Sequence, residues 1–364
     1  MTTPLRIGYM PLTDAGLLFV AAAKGFDREE GLAFDLFTET SWANLRDKLA
    51  VGVYDAAHML APAVVASTLG LDGFIAPMTG AVALGLDGNA ISLAPALAAA
   101  IRARLSGDAS DPAATARALA EIVAERRAKD LPALRFAHVF PFSTHHYQLR
   151  SWMRLGNVDP EGVRLTVTPP PLMGESLRGG YVSGFCVGEP WNSLARNAGD
   201  AEILHPCRDL MRDCPEKVLA FRADSGRADG ETPRAAARAI RRAAVWGELP
   251  ENTQEFCRLI AEGLGAGVTP AMVAATLGKD GQSRPWLRLD AEATALGGRQ
   301  AVWLYVLIAA HGQAAASAEF AMRAREAFLR QDDAPAPTAP AFFDGPFEET
   351  HWRDVLATLA TPRK

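Results

Sequence analysis

One short stretch of the chain reads Gly184-Phe185-Cys186-Val187-Gly188-Glu189-Pro190-Trp191-Asn192. It joins an apolar strand directly to a glycine, a carboxylate, a proline and a tryptophan. Gly188 allows backbone N–H groups to approach a bound group, Glu189 can accept hydrogen bonds, and Pro190 with Trp191 ends the strand and forms a rigid wall. The pattern is typical of a strand that ends at a ligand site. An ordinary strand exit whose tryptophan fills the core has the same sequence, so both interpretations stay open at this point.

Apolar segments of strand and helix type alternate along the first part of the chain. The residue pattern predicts strands at 6–10, 32–39 and 56–59, and helices at 17–24, 42–51 and 62–69. Strands that alternate with helices predict an α/β fold with a mainly parallel sheet.

Two predicted crossings divide the chain into lobes. A break at Gly88-Asn89 precedes a long alanine-rich helical region and marks the entry to a second lobe, and the return is predicted at residues 184–191. We therefore predict lobe I from residues 1–87 plus 192–330, lobe II from residues 88–191, and a C-terminal linker and tail at residues 331–364. The run Phe342-Phe343-Asp344-Gly345 either docks on the body or belongs to a mobile terminal segment.

Length, composition and charge exclude several classes of protein. A chain of 364 residues is long enough for two lobes, each with its own core, and 49% hydrophobic with 22% charged residues is normal for a globular protein. The net charge of −5 argues against direct nucleic-acid binding, which needs a basic surface. No apolar run reaches the length of about 18 residues that a membrane helix requires, so no membrane insertion is predicted.

The N-terminus and the cysteines both predict a cytoplasmic location. Met1-Thr2-Thr3-Pro4-Leu5 leads directly into the first strand, with neither a basic segment followed by an apolar stretch nor a lipobox cysteine. Removal of a signal peptide is the alternative. The cysteines have no Cys-x-x-Cys spacing and are interpreted as free thiols in a reducing compartment, with no metal and no cofactor; they are Cys186, Cys207, Cys214 and Cys257.

Several short runs, read together in this order, resemble one known family. The runs are Arg6-Ile7-Gly8-Tyr9-Met10-Pro11-Leu12-Thr13-Asp14-Ala15, Ser41-Trp42, Asp55-Ala56-Ala57-His58-Met59-Leu60, Gly88-Asn89-Ala90-Ile91, Ser143-Thr144-His145, the stretch from Gly184 to Trp191, and Pro215-Glu216-Lys217. They resemble the nitrate- and bicarbonate-binding proteins of bacterial ABC importers, and the resemblance extends to about residue 225. It implies a two-lobed, periplasmic-binding-protein-like fold of type II with a hinge and a central ligand cleft. The ligand contacts that it implies are Trp42, Asn89, His145, Gly188, Glu189 and Lys217.

The chemistry of these residues suits a small planar anion. Nitrate needs several hydrogen-bond donors, one cation and a flat shielding surface. Thr144 and His145 stand where a helix pattern begins, so free N–H groups and the helix dipole favour an anion there, and Lys217 would supply the positive charge. The other donors are the Asn89 amide, the Trp42 indole and the Gly188 backbone.

Each residue also has a simpler interpretation. Without the resemblance, Trp42 and His145 would be core or capping residues, and Lys217 would be a solvated surface lysine. His58, between apolar neighbours, is predicted to be a buried histidine with its hydrogen bonds satisfied.

Two positions indicate which anion is bound. The resemblance implies an acidic, calcium-holding residue in place of Lys217 for bicarbonate binders and lysine for nitrate binders, and this chain has lysine. Asn89 replaces the glutamine usual in the importers and shortens the donor by one methylene, so nitrite or a water-bridged nitrate stays open.

The resemblance and the predicted location together suggest a regulatory function. A cytoplasmic branch of the family is a nitrate and nitrite sensor that holds an RNA-binding antiterminator of the ANTAR type when empty and releases it on binding the anion. Our main prediction is this sensor of nitrate assimilation, in which hinge closure on the ligand expels the partner.

Two alternatives from other classes remain. The first is the substrate-binding component of a nitrate ABC transporter, which would bind a membrane permease. The second is a small-molecule enzyme on the same fold. It is disfavoured because the sequence shows no nucleophile with a base and no phosphate-binding glycine loop, although His145 with Glu189 could transfer a proton.

Overall fold

Ten strands in two five-stranded sheets organise the chain in this computed structural model, which describes residues 2–71, 76–105, 107–225, 230–265, 267–330, 335–342 and 345–360. The strands are β1 (Thr3–Tyr9), β2 (Leu32–Thr38), β3 (Ala56–Leu60), β4 (Met78–Ala83), β5 (Asn89–Leu93), β6 (Leu134–His138), β7 (Val163–Val167), β8 (Gly184–Gly188), β9 (Glu202–Pro206) and β10 (Lys217–Arg222). The first sheet has the order β2-β1-β3-β10-β4, and the second has the order β9-β5-β8-β6-β7. The predicted α/β class is confirmed.

One strand in each sheet runs against the others. In the first sheet β10 pairs antiparallel with β3 and β4, and in the second sheet β5 pairs antiparallel with β8 and β9. The pairs β1–β2, β1–β3, β6–β7 and β6–β8 are parallel. Each antiparallel strand is the first one after the chain changes sheets.

The observed return to the first sheet corrects the predicted lobe boundary. The return was predicted at residues 184–191, but β8 lies in the middle of the second sheet, between β5 and β6. The chain then continues to β9, which pairs with β5, and crosses to β10 only after Pro206. The prediction of lobe II as residues 88–191 is therefore too short, because residues 192–206 pack and pair with the second sheet.

Helices connect the strands and cover both sheets. They are α1 (Gly16–Lys24), α2 (Phe26–Glu29), α3 (Trp42–Ala50), α4 (Ala61–Thr68), α5 (Pro95–Arg102), α6 (Pro112–Ala128), α7 (Thr144–Leu155), α8 (Met173–Arg178), α9 (Trp191–Asn197), α10 (Glu231–Glu248), α11 (Thr253–Leu264), α12 (Pro270–Thr276), α13 (Gly298–Ala310), α14 (Ala318–Arg325) and α15 (Trp352–Ala360). In the part of the chain that is described, none of them combines the length and the apolar character needed to cross a bilayer.

The core consists of two packed regions. One joins α1, α10 and α11 to the first sheet through residues such as Leu17, Ile240 and Phe256. The other is continuous from the first sheet to the second and includes α13, whose Trp303 is fully buried. Burial of these apolar side chains provides the main stabilisation of the fold.

The four cysteines are free and buried, as predicted for free thiols. Cys186 Sγ and Cys207 Sγ lie 3.6 Å apart in the core beneath the second sheet. Burial raises the pKa of the Cys207 thiol well above its usual value, so this group stays protonated.

The C-terminal segment packs on the body of the protein where it is described. Ala341 and Arg212 exchange two backbone hydrogen bonds of 2.8 and 3.0 Å, and Phe347 is buried. The Trp352 ring meets the Tyr305 ring of α13 at a centroid distance of 5.8 Å. These contacts agree with the docked alternative for the tail, whereas residues 331–334 of the linker and residues 343–344 of the predicted docking run lie outside the described residues.

Candidate functional site

A polar cluster lies where the two sheets face each other, at the carboxyl ends of their parallel strands. Asp14 follows β1, Trp42 follows β2, and Thr144 and His145 follow β6. The antiparallel β10 runs the other way, so its first residue, Lys217, is brought to the same edge. Ligand sites of open α/β sheets occur at these carboxyl ends.

Serine caps fix the beginnings of the two helices that carry site residues. Ser41 precedes α3 in an extended conformation, and its Oγ accepts a hydrogen bond from Asn44 N at 3.2 Å. Ser143 caps α7 in the same way, through His146 N at 3.2 Å. The caps therefore hold Trp42, at the start of α3, and Thr144 and His145, at the start of α7, in defined positions.

Lys217 is fully buried and lies between acidic side chains. Its Nζ is 2.9 Å from Asp14 Oδ2 and 3.9 Å from Glu216 Oε2, and it donates to Asn89 Oδ1 at 3.0 Å. Burial lowers the pKa of this ammonium, but Asp14 and Glu216 outweigh burial and the pKa is raised, so the group is charged. Contacts with Asp14 and Asn89 use two of its three N–H groups, and one is left for another acceptor.

Asp14 connects Lys217 to an aromatic pair. Burial raises the pKa of Asp14, but Lys217 and His58 outweigh burial and lower it, so the carboxylate is ionised. His58 Nε2 lies 3.1 Å from Asp14 Oδ1 without hydrogen-bond alignment, and the Trp42 ring meets the His58 ring edge-on at 5.6 Å. His58 is buried, as predicted, and its Nε2 has Asp14 as an ion-pair partner, whereas its Nδ1 has no hydrogen-bond partner among the described residues.

Glu216 is the centre of a network between the two sheets. Its Oε2 accepts hydrogen bonds from Asn89 Nδ2 at 2.6 Å and from the Thr144 hydroxyl, and its Oε1 accepts from Gln148 Nε2 at 2.8 Å. Burial raises the pKa of Glu216, an effect that Lys217 and these hydrogen bonds oppose. We call each sheet, together with the helices packed on it, a unit. The Glu216 carboxyl group joins the start of β10 in the first unit to β5 and α7 of the second unit.

The Asn89 amide and the Thr144 hydroxyl are both engaged by other side chains in this conformation, whereas the prediction for Thr144 concerned the backbone N–H groups at the start of α7. Asn89 Nδ2 also donates to Gln148 Oε1 at 2.9 Å, and Asn89 Oδ1 accepts from Lys217. Both groups are committed to other side chains, so in this conformation they orient Glu216 and Lys217 rather than offering a free donor.

Trp42 and His145 carry buried donors without partners. Trp42 is 1% exposed and His145 is 0% exposed, and neither the indole Nε1 nor either imidazole nitrogen forms a hydrogen bond within the described part of the chain. Burial and then the charge of Lys217 lower the pKa of His145 well below its usual value, so the ring is neutral with one N–H donor. Buried donors without acceptors are costly, and their presence beside a buried cation indicates a place for an anionic acceptor.

Gly188 closes one side of the cluster, and Glu189 follows it in the chain. A Cβ atom on Gly188 would lie 3.3 Å from Lys217 Nζ and 3.4 Å from Asn89 Oδ1, so glycine allows the ammonium to approach the backbone. Glu189 Oε2 accepts from Ser193 N at 3.2 Å, while Oε1 is buried without a partner. Burial raises the pKa of Glu189 to about 7, against the opposing effect of its bonds to Ser193.

Trp191 bridges the two units at the rim of the site. It is the first residue of α9, and its Nε1 donates to Pro11 O in the first unit at 3.0 Å. The backbone adds a second bridge, because Thr13 N donates to Glu189 O at 2.8 Å. Trp191, which was predicted to form a wall of the site, therefore connects the second unit to the loop that follows β1.

The structure thus brings the predicted residues into one region and adds others that sequence reasoning missed. The added residues are Asp14, His58, Gln148 and Glu216. Two of them had a signal in the sequence: Glu216 adjoins Lys217 in the chain, and Asp14 lies shortly after the apolar strand β1. The proton-transfer pair His145–Glu189 is absent from the described hydrogen bonds.

Two facing α/β units with a buried polar site at their strand ends place the protein in the periplasmic-binding-protein-like class, as predicted. The fold matches the crystal structure of the periplasmic nitrate-binding protein NrtA from Synechocystis PCC 6803 with a TM-score of 0.81, 24% identity and 98% coverage of both chains. The chain belongs to the NMT1-like family, whose model matches residues 1–261.

Sequence relatives of the chain are named for nitrate and, in other cases, for bicarbonate, such as the bicarbonate transport ATP-binding protein CmpC of Synechocystis sp. strain PCC 6803, which is 30% identical over 71% of this chain and 37% of its own length. The nitrate/nitrite binding protein NrtA of Nostoc sp. strain PCC 7120 is 31% identical over 72% of this chain, and the chain spans 58% of the length of that relative. The nitrate import ATP-binding protein NrtC of Synechocystis sp. strain PCC 6803 is 32% identical over 60% of this chain and 31% of its own length.

Proposed function

We propose that the chain binds nitrate or nitrite between its two sheets, as a substrate-binding component of an anion importer. One observation carries the proposal: a fully buried, charged Lys217 lies in a cluster where the Trp42 indole and the His145 imidazole have no hydrogen-bond partner. Binding and import of nitrate in relatives of the same family support it.

The hydrogen-bond chemistry of the cluster fits a small monovalent oxyanion. The third N–H of Lys217, the Trp42 indole N–H and one N–H of His145 are three donors that could point to the anion oxygens. The indole additionally offers a flat apolar surface, which suits a weakly hydrated planar ion.

The ammonium also fits an anion site that works without a metal ion. Lys217 Nζ lies between the carboxylates of Asp14 and Glu216 and provides the positive charge that calcium is implied to provide in the bicarbonate binders. We therefore propose nitrate or nitrite, rather than bicarbonate with calcium, as the ligand.

Residues from both units surround the proposed site, so binding would favour the closed arrangement. Trp42 and Lys217 belong to the first sheet unit, whereas His145 and Gly188 belong to the second. A ligand that contacts both units is bound more tightly when they are closed, and it shifts the population to that state. An importer permease, or another partner, would recognise this state by linkage.

The regulatory sensor with an ANTAR-type partner and the cytoplasmic location stay predictions from the sequence resemblance. The relatives reported above are named for anion binding and transport, which favours the importer alternative. Cell fractionation of the tagged full-length gene product separates the two: recovery with the exported proteins supports the importer component, and recovery in the cytoplasm with a co-purifying antiterminator supports the sensor.

Matched tryptophan variants test the binding proposal. Trp42→Phe removes the unpartnered indole N–H but keeps an aromatic wall, so nitrate affinity measured by isothermal titration should fall about tenfold. Trp303→Phe changes an equally buried tryptophan of α13 outside the site and should leave the affinity unchanged. Equal affinity in the two variants would remove Trp42 from the site.

A further inference from the structure

A second polar cleft lies on the exposed edge of the second sheet, formed by residues that contribute nothing to the site described above. Its volume is about 270 Å³. The edge strand β7 supplies alternate residues on one face, and α8 with the loop that follows it supplies the opposite wall. The lining residues are Arg135, Arg164, Thr166, Thr168, Ser176, Tyr181 and Val182.

Two arginines stand side by side in this cleft. Arg135 on β6 and Arg164 on β7 are register partners in parallel strands, which lie about 4.8 Å apart, so their side chains share one face of the sheet. Neither guanidinium has an ion pair or a hydrogen bond within the residues that the structure describes. Adjacent like charges destabilise a sheet unless an opposite charge relieves them. The nearby Arg127, by contrast, pairs with Asp159 and Glu161.

Hydroxyl groups complete the cleft. Thr166, Thr168, Ser176 and Tyr181 line it, and none of their hydroxyls has a hydrogen-bond partner among the described residues. Thr168 is the most buried of these four residues, at 9% exposure. Two guanidinium groups and four hydroxyls together offer many donors, and no carboxylate lines the cleft.

We propose that this cleft binds a phosphate dianion, either free or as the monoester group of a small molecule. Two planar guanidinium groups match the charge of a dianion and can each bind two of its oxygens, while hydroxyls bind the remaining lone pairs. The positive field is local, because the chain as a whole has a net charge of −5.

Titration of the full chain with inorganic phosphate and with methyl phosphate tests the proposal, with chloride at matched ionic strength as the reference. One-to-one saturable binding of either phosphate is expected, and the tighter of the two identifies the free ion or the ester as the source. Arg135→Gln and Arg164→Gln should each weaken binding about tenfold or more, since each removes a charge-assisted contact.

Arg299→Gln is the control, because it removes an equally exposed positive charge from α13, outside the cleft. It should leave phosphate affinity unchanged, and thermal melts should show that all three variants are folded. The proposal is overturned if neither phosphate binds, if chloride gives the same signal, or if Arg164→Gln binds phosphate as tightly as Arg299→Gln. These results are independent of nitrate binding between the sheets.

Discussion

Removing the buried charge of Lys217 should abolish tight nitrate binding, and the size of the effect follows from its contacts. Lys217→Met alone would leave the ionised Asp14 buried without its cation at 2.9 Å, which costs about 3–5 kcal/mol of folding free energy. Combining it with Asp14→Asn removes both charges of the pair, so that neither is left buried without its partner. The double variant should therefore fold and still lack the cation.

Loss of one charge-assisted hydrogen bond to the anion corresponds to about 1.5–3 kcal/mol, or about tenfold to 150-fold in affinity. Isothermal titration with nitrate would compare the double variant with Asp14→Asn alone, and urea unfolding would confirm that both are folded. If the double variant binds nitrate within about twofold of Asp14→Asn, Lys217 is not the cation of the site and the reasoning fails.

Three further predictions concern neighbouring groups. Gly188→Ala should weaken nitrate binding in a titration, because the added methyl group would lie 3.3 Å from Lys217 Nζ and displace the ammonium group. Unchanged affinity would show that the ammonium group has room to move. Nitrate affinity should fall as the pH rises through about 7, because the Glu189 carboxyl is neutral below its pKa of about 7 and ionises above it, which opposes binding of an anion. Glu189→Gln should remove this pH dependence. A pH profile that persists in the variant contradicts the assignment. Glu216→Ala should lower the free energy of unfolding by about 3 kcal/mol or more in a urea titration, because Asn89, Thr144 and Gln148 lose their shared acceptor. The control is Glu161→Ala, at a side chain 78% exposed, which should change the free energy of unfolding by less than about 0.5 kcal/mol.

Periodicity predicted β1, β2 and β3 of the first sheet and the helices between them well, because their burial is regular, but it did not predict β10. Segments such as β1 and β3 are short and apolar, and α1 ends at Gly25, whose left-handed φ of 79° favours glycine. The strand β9 gave no such signal, because most of its residues are half-buried and one is a glutamate. Because β9 was not predicted, the boundary of lobe II was predicted at residue 191, before the end of this strand at Pro206.

The candidate site was predicted from residues at the ends of strands and helices, where short motifs are informative. Trp42, His145, Gly188 and Lys217 do lie together at one edge of the two sheets. Their partners were not predictable, because the pairing of Asp14 with Lys217 joins distant parts of the chain and depends on β10 running antiparallel beside β3. The same topology commits the Asn89 amide to Glu216, which no local pattern indicates.

Isothermal titration of the purified chain with nitrate, nitrite, and bicarbonate with and without calcium tests the central claim most directly. We expect saturable one-to-one binding of nitrate or nitrite, no requirement for calcium, and no heat of binding from chloride at the same ionic strength. Binding of bicarbonate alone in the presence of calcium, or no binding of any of these anions, would contradict the claim that Lys217 and its neighbours form a nitrate or nitrite site.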